Sequence, residues 1–230
     1  MDLLKRYDPF DIFDFEAARL DSFFAGLDAE GWARPSRCEG WTVRDVLGHL
    51  AGEEMYNHAA LDGTVKQLMG RMSSEGITGF NEFNEWCVAG RRGLPVEEVL
   101  AEWREKNAQT RARMRGRGRD GTLDTMVGDY PVGAQAFHYD SEYATHADDV
   151  GAPVSGEERA ARDAWRVAVG RFALAEQEAE VEIEQTADQV RVRTDGASAD
   201  LSYPEFVAAT VGRAGDALDP RLAAALRCLA

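Results

Sequence analysis

His138-Tyr139-Asp140-Ser141-Glu142-Tyr143-Ala144-Thr145-His146-Ala147-Asp148-Asp149 is the stretch around which the rest of the chain is organised. On a helix, Glu142 and His146 stand four residues apart and rise from one face. A carboxylate and an imidazole held that way can share a divalent cation, and they can equally form an ordinary contact on a solvated face. Tyr143, Ala144, Ala147 and Val150 give this helix an apolar side next to the pair. A buried carboxylate and imidazole need a partner, and a metal ion is a common one. His138 extends the row one turn back, as a further ligand or as a neighbour. Asp149 is placed to support His146 from the helix end or to meet solvent.

Two ligands do not make a site, so a third has to come from elsewhere. His49 and His58 are the only histidines in the first half. Their nine-residue spacing puts them on opposite sides of a helix, so at most one can serve a given internal site. His49 lies on the shoulder of an apolar arc formed by Val43, Val46, Leu47 and Leu50, and helical bundles build metal sites from such inward-facing positions. The wheel alone does not choose between the two.

The flanking periodicity predicts a mainly α fold, an antiparallel four-helix bundle followed by a small α/β module. The first helix spans residues 10–27, with Phe13, Ala17, Leu20, Phe23, Phe24 and Leu27 on one stripe. A turn through residues 31–40 holds Pro35 and Gly40. The second helix opens at Thr42, with Asp45 completing a capping box in place of Glu. Residues 63–93 carry weaker helical pieces, at 65–72 and 80–89. Pro95 opens the third long helix in its first turn, and Gly116, Gly118 and Gly121 end it. A loop over residues 123–131 leads into the fourth helix, residues 132–150, which Gly151-Ala152-Pro153 stops. The domain boundary is expected there, giving a bundle at 1–151 and a second module at 152–230.

That module opens with a helix over residues 157–176 bearing Ala161, Trp165, Val169 and Phe172. Val181-Glu182-Ile183-Glu184 and Val190-Arg191-Val192-Arg193 alternate apolar and charged residues, the period of half-buried strands. Paired as a hairpin, they set glutamates opposite arginines. A third strand near residues 200–203 precedes helices at 204–213 and 220–229.

Composition narrows the function. A formal charge of −15 argues against nucleic-acid and anionic-membrane partners, which require a basic surface. The one basic segment, Arg111, Arg113, Arg115, Arg117 and Arg119, either attracts an acidic ligand or is a solvated loop. The first residues lack the long apolar run expected of a signal peptide, and no run reaches the 18 or so apolar residues of a membrane span. Cys38, Cys87 and Cys228 are odd in number and widely spaced, which suits reduced thiols in a cytoplasm.

Trp32 and the run Pro35-Ser36-Arg37-Cys38-Glu39-Gly40-Trp41-Thr42-Val43-Arg44-Asp45-Val46-Leu47-Gly48-His49-Leu50 resemble the signature of the DinB-like family that includes mycothiol-dependent maleylpyruvate isomerases. Glu142-x-x-x-His146-x-x-Asp149 is similar to that family's second signature. Asn81, Ala89-Gly90-Arg91-Arg92-Gly93 and the later Val211-Gly212-Arg213 with Asp216-Ala217-Leu218 extend the resemblance over most of the chain. It implies a four-helix bundle holding one divalent metal, usually zinc, through His49, Glu142 and His146, with an exchangeable position left over. It also implies mycothiol or a similar small thiol as cosubstrate. The expected chemistry is S-transfer to, or isomerisation of, a small electrophile, with Arg213 holding a substrate carboxylate. The expected partners are small molecules, in a monomer or homodimer. A metal-dependent hydrolase and a non-catalytic metal-binding or stress protein are the rival readings of the same residues.

Overall fold

Phe13, Ala17, Leu20 and Phe24 form the buried stripe expected of the first helix, α1 (Pro9–Ala25). The computed structural model describes residues 2–229, which fall into two compact units: Pro9–Pro153, and Val154 onward together with the segment ending at Asp8. Met1 and Ala230, the outer ends of the two expected domains, lie outside the described residues.

In the first unit a short helix, α2 (Ala29–Ala33), follows α1, where a plain turn was expected. The Asp28 side chain accepts the Gly31 amide at 2.8 Å, and that cap is enough to nucleate one turn. Pro35 and Thr42 then pair as an isolated bridge, closing the loop that carries Cys38. The long helix α3 (Val43–Asp62) begins with the expected capping box: the Thr42 hydroxyl accepts the Asp45 amide at 3.2 Å, and Asp45 Oδ2 accepts the Thr42 amide at 3.0 Å. Helices α4 (Val65–Ser74) and α5 (Phe80–Ala89) match the weaker helical pieces.

The next helix, α6 (Val96–Arg117), takes Pro95 as its N-cap, not in its first turn, and runs through Gly116. Gly118, at φ 78° and ψ 164°, takes an extended positive-φ conformation that suits glycine and stops the helix. The segment expected as a loop is a hairpin of β1 (Thr122–Thr125) and β2 (Gly128–Pro131), with Leu123 buried. It leads into α7 (Val132–Val150), which Gly151 ends in the left-handed conformation.

Helices α1, α3, α6 and α7 pack on one another around Phe13, Leu20, Phe24, Leu47, Leu50, Trp103 and Tyr143. Helix α3 is buried on nearly every side, because α4, α5, α6, α7 and β1 all pack against it. Gly52 makes the α5 contact possible: a Cβ there would stand 2.3 Å from Cys87 Cβ. A helix sealed on all sides carries its polar residues into the interior, and His49 and Glu53 go with it.

The arginine run is neither a loop nor a free basic surface. It occupies the last turns of α6 and the residues after it. Arg111 and Arg115 pair with Asp14 on α1, Arg115 also with Asp11, and Arg113 with Asp62 on α3. Arg119 lies over the Phe137 ring.

The second unit opens with a one-turn 3-10 helix (Asp2–Leu4) against α8 (Gly156–Glu176), whose N-terminus Ser155 and Glu158 cap reciprocally. Strands β3 (Glu182–Gln185), β4 (Gln189–Thr194) and β5 (Ala197–Ser202) form an antiparallel sheet in that order. The register sets Glu182 opposite Arg193 and Glu184 opposite Arg191, as the alternation predicts. Val190, Val192 and Leu201 face a small core shared with Val167, Phe206, Leu222 and Leu226 from α8, α9 (Tyr203–Thr210) and α10 (Pro220–Leu226). No helix among the described residues is long and apolar enough to cross a membrane.

Candidate metal centre

The loop from Arg34 to Trp41 is tied to the end of α7. The last carbonyls of a helix have no partner within it and must find one outside. Here the Arg37 amide donates to Asp149 O at 3.0 Å, and the Arg34 guanidinium donates to Val150 O at 2.6 Å. Ser36 steadies the loop from within, accepting the Cys38 amide and donating to Trp41 O at 2.9 Å. The signature residues between Pro35 and His49 thus place one face of α3 and the Cys38 side chain against α7.

On that face His49 Nε2 lies 3.0 Å from Glu142 Oε1, and His146 Nε2 lies 3.8 Å from the same oxygen. Ligand atoms of His49, Glu142 and His146 all fall within 4.8 Å of one another. Donors bound at about 2.0–2.1 Å in a tetrahedron stand about 3.3 Å apart, so this cluster has the size that a zinc-type cation needs. The two imidazole rings meet edge-on with centroids 4.9 Å apart, and the Trp41 ring packs 5.3 Å from His49. Both histidines are buried, while 36% of the Glu142 side chain stays exposed, so the cluster has one open side.

The outer partners are equally specific. His146 Nδ1 lies 3.4 Å from Asp149 Oδ2, which leaves Nε2 for the cluster. Cys38 Sγ donates to the same Asp149 oxygen at 3.2 Å and sits 3.8 Å from His146 Nδ1. Glu53, one turn after His49, has Oε2 3.6 Å from His49 Nε2.

Ionisation follows from burial and these contacts. Burial pushes the His49 imidazole below its ordinary value, which favours the neutral, ligating form. Burial, reinforced by the charge of Glu142, pushes Glu53 well above the carboxylate range. Burial works against a charged Glu142, yet its bonds to His146 and His49 hold it well below that range. Burial also works against a charged His146, and Asp149, Cys38 and Glu142 together push it well above the ordinary histidine value. A divalent cation bound here would take the place of the proton that these groups otherwise compete for.

His58 Nε2 bonds to the Lys106 carbonyl at 3.1 Å, and of the two first-half histidines it is His49 whose ring nitrogen lies beside Glu142 and His146. His138 Nε2 bonds to the Tyr130 hydroxyl at 3.1 Å, as a neighbour and not as a member of the cluster. Arg213 belongs to the second unit, just beyond α9; its amide donates to Ala208 O at 2.7 Å and its Nη1 to Val211 O at 3.5 Å. Glu53 is not among the residues the sequence points to; its four-residue step from His49 puts it on the same face but carries no sign of its burial.

A sequence profile described as the mycothiol maleylpyruvate isomerase N-terminal domain matches residues 13–151, more than half of the chain. No curated protein matches the chain significantly. Among solved structures, that of the mycothiol-dependent maleylpyruvate isomerase superposes with a TM-score of 0.62 at 15% identity, covering 90% of this chain and 89% of that one. The same isomerase carrying a histidine-to-alanine substitution gives a TM-score of 0.61 at 14% identity, with the same coverage. These likenesses establish the shared fold. By its profile match, the chain belongs to the mycothiol maleylpyruvate isomerase N-terminal domain family.

Proposed function

We propose that this protein is a metal-dependent enzyme that uses a low-molecular-weight thiol, mycothiol or a close analogue, to isomerise or S-conjugate a small electrophilic substrate. The observation that carries the reading is the meeting of His49 from α3 with Glu142 and His146 from α7 around one point that is open on one side. His49, Glu142 and His146 would hold a divalent cation, zinc in the first instance. When bound, such an ion lowers the pKa of a thiol or water beside it and so makes a nucleophile available near neutral pH.

The chain's own residues do the rest. Burial keeps His49 neutral, and Asp149 fixes the His146 ring so that Nε2 faces the cluster. Trp41 packs against the His49 ring, with centroids 5.3 Å apart. Arg213 is proposed to hold a substrate carboxylate, for which a guanidinium fork is geometrically suited. The thiolate sulfur would add to an electrophilic alkene carbon of the substrate, breaking the C=C π bond and moving its electron pair onto the conjugated carbonyl as an enolate. Rotation about the former double bond, now a C–C single bond, followed by collapse of the enolate with expulsion of the thiolate, gives the isomer, whereas protonation of the enolate carbon gives the conjugate.

The test is turnover of an electrophilic, carboxylate-bearing enoate such as maleylpyruvate by zinc-loaded protein, with and without mycothiol. Thiol-dependent turnover is expected, with Arg213→Ala raising KM for the carboxylate substrate while leaving metal content unchanged. Turnover at the same rate in thiol-free buffer would point instead to a hydrolase, and no turnover in either buffer to a binding protein.

A further inference from the structure

Glu53 is the one carboxylate at the centre that the three-ligand arrangement does not explain. It follows His49 by four residues on α3, so both rise from the same face. Its side chain is 10% exposed, with Oε2 3.6 Å from His49 Nε2. Its other oxygen, Oε1, is buried and has no hydrogen-bond partner among the described residues. Nor does a lysine or arginine among them pair with it; the charged groups that act on it are Glu142, Glu54 and His146. Buried beside a second carboxylate with no basic side chain to answer it, Glu53 must either hold a proton or meet a cation.

We infer that Glu53 is a fourth protein ligand of the centre, binding the divalent cation through Oε2 beside His49, Glu142 and His146. The inference rests on the metal reading given above. Its electrostatic logic is simple: two neutral imidazoles and two carboxylates carry a charge that one divalent ion cancels inside the bundle. Glu53 Oε2 stands 3.6 Å from His49 Nε2 but outside the set of ligand atoms that lie within 4.8 Å of one another, so it would reach the ion by a turn of its side chain. Four protein donors, two of them oxygen, leave room for a thiol or substrate only on ions that accept five or six ligands. Such a donor set therefore favours zinc in expanded coordination, cobalt, nickel or iron over a strictly four-coordinate centre.

The test compares the full-length wild type with Glu53→Gln after chelator stripping. Each is titrated with zinc in competition with a chromophoric chelator, then loaded with cobalt. Loss of an outer partner of a metal ligand costs about 10–100-fold in affinity, so loss of a bonded carboxylate is expected to cost about 100-fold or more. The visible cobalt bands are expected to shift as an oxygen donor leaves. Zinc affinity within about threefold of wild type, or weaker binding with unchanged cobalt bands, would overturn the proposal. Should the variant fail to fold by circular dichroism, a zinc-soaked crystal of the wild type decides. A Glu53 oxygen at about 2.0–2.2 Å from the ion supports ligation, and a longer distance overturns it. A wild type that takes up no divalent ion at all would instead remove the metal reading itself, and Glu53's role with it.

Discussion

His49 Nε2 and Glu142 Oε1 lie 3.0 Å apart, although 93 positions separate the two residues in the chain. That contact requires α3 to sit in the middle of its unit and α7 to be tied to the loop preceding α3. Both conditions trace to specific residues: Gly52, which lets α5 close over α3, and Arg34 and Arg37, which bind the last carbonyls of α7.

Asp149 should control metal affinity without being a ligand. Its carboxylate faces His146 Nδ1 at 3.4 Å and also receives the Cys38 thiol. Replacing Asp149 by Ala frees the ring and is expected to weaken zinc binding about 10–100-fold. A competition titration reads this directly, and unchanged affinity in a folded variant would remove Asp149 from the centre.

Glu54 should matter for stability. It is fully buried and accepts hydrogen bonds from Asn107 Nδ2 at 3.0 Å, the Tyr143 hydroxyl at 3.1 Å and the Thr110 hydroxyl at 2.5 Å. Glu54→Ala strands these donors among α3, α6 and α7, at an expected cost of about 3 kcal/mol in unfolding free energy. The urea midpoint checks it, and a shift worth less than about 0.5 kcal/mol would show that water or rearrangement satisfies the network.

Asp45 gives a pH dependence of defined sign. Burial raises its pKa, but bonds from the Thr42 amide and hydroxyl and from Arg92 outweigh burial and hold it below the ordinary 3.8. A depressed carboxylate contributes stability that is present above its unfolded value and is lost as pH falls through its folded value. The wild type should therefore exceed Asp45→Asn in stability at neutral pH. The difference should shrink as pH drops through and below 3.8. A difference that stays constant across that window would assign the effect to packing.

Much of the fold could be read from local pattern. The capping box at Thr42 and Asp45, the buried stripe of α1 and the Glu–Arg register of β3 and β4 each follow from residues a few positions apart. The features that escaped depend on distant partners. The arginine run looked like a loop because Asp11 and Asp14, which pair with it, lie about a hundred positions upstream. The β1–β2 hairpin has four-residue strands with no apolar alternation, and its tip exposes Met126 and Val127, so periodicity carried no signal. At the candidate centre the Glu142/His146 pair was legible from spacing and His49 from its motif. Glu53 was not, because burial of α3 on all sides, which turns a helical carboxylate inward, is a property of the assembled bundle.

Elemental analysis of purified protein tests most directly the claim that His49, Glu142 and His146 hold a divalent cation. The wild type is expected to carry about one zinc-type ion per chain, as a three-ligand catalytic site does, and His49→Ala, Glu142→Ala and His146→Ala are each expected to carry almost none while remaining folded. A wild type that takes up no divalent ion after incubation with zinc, or alanine variants that retain as much metal as the wild type, would contradict it.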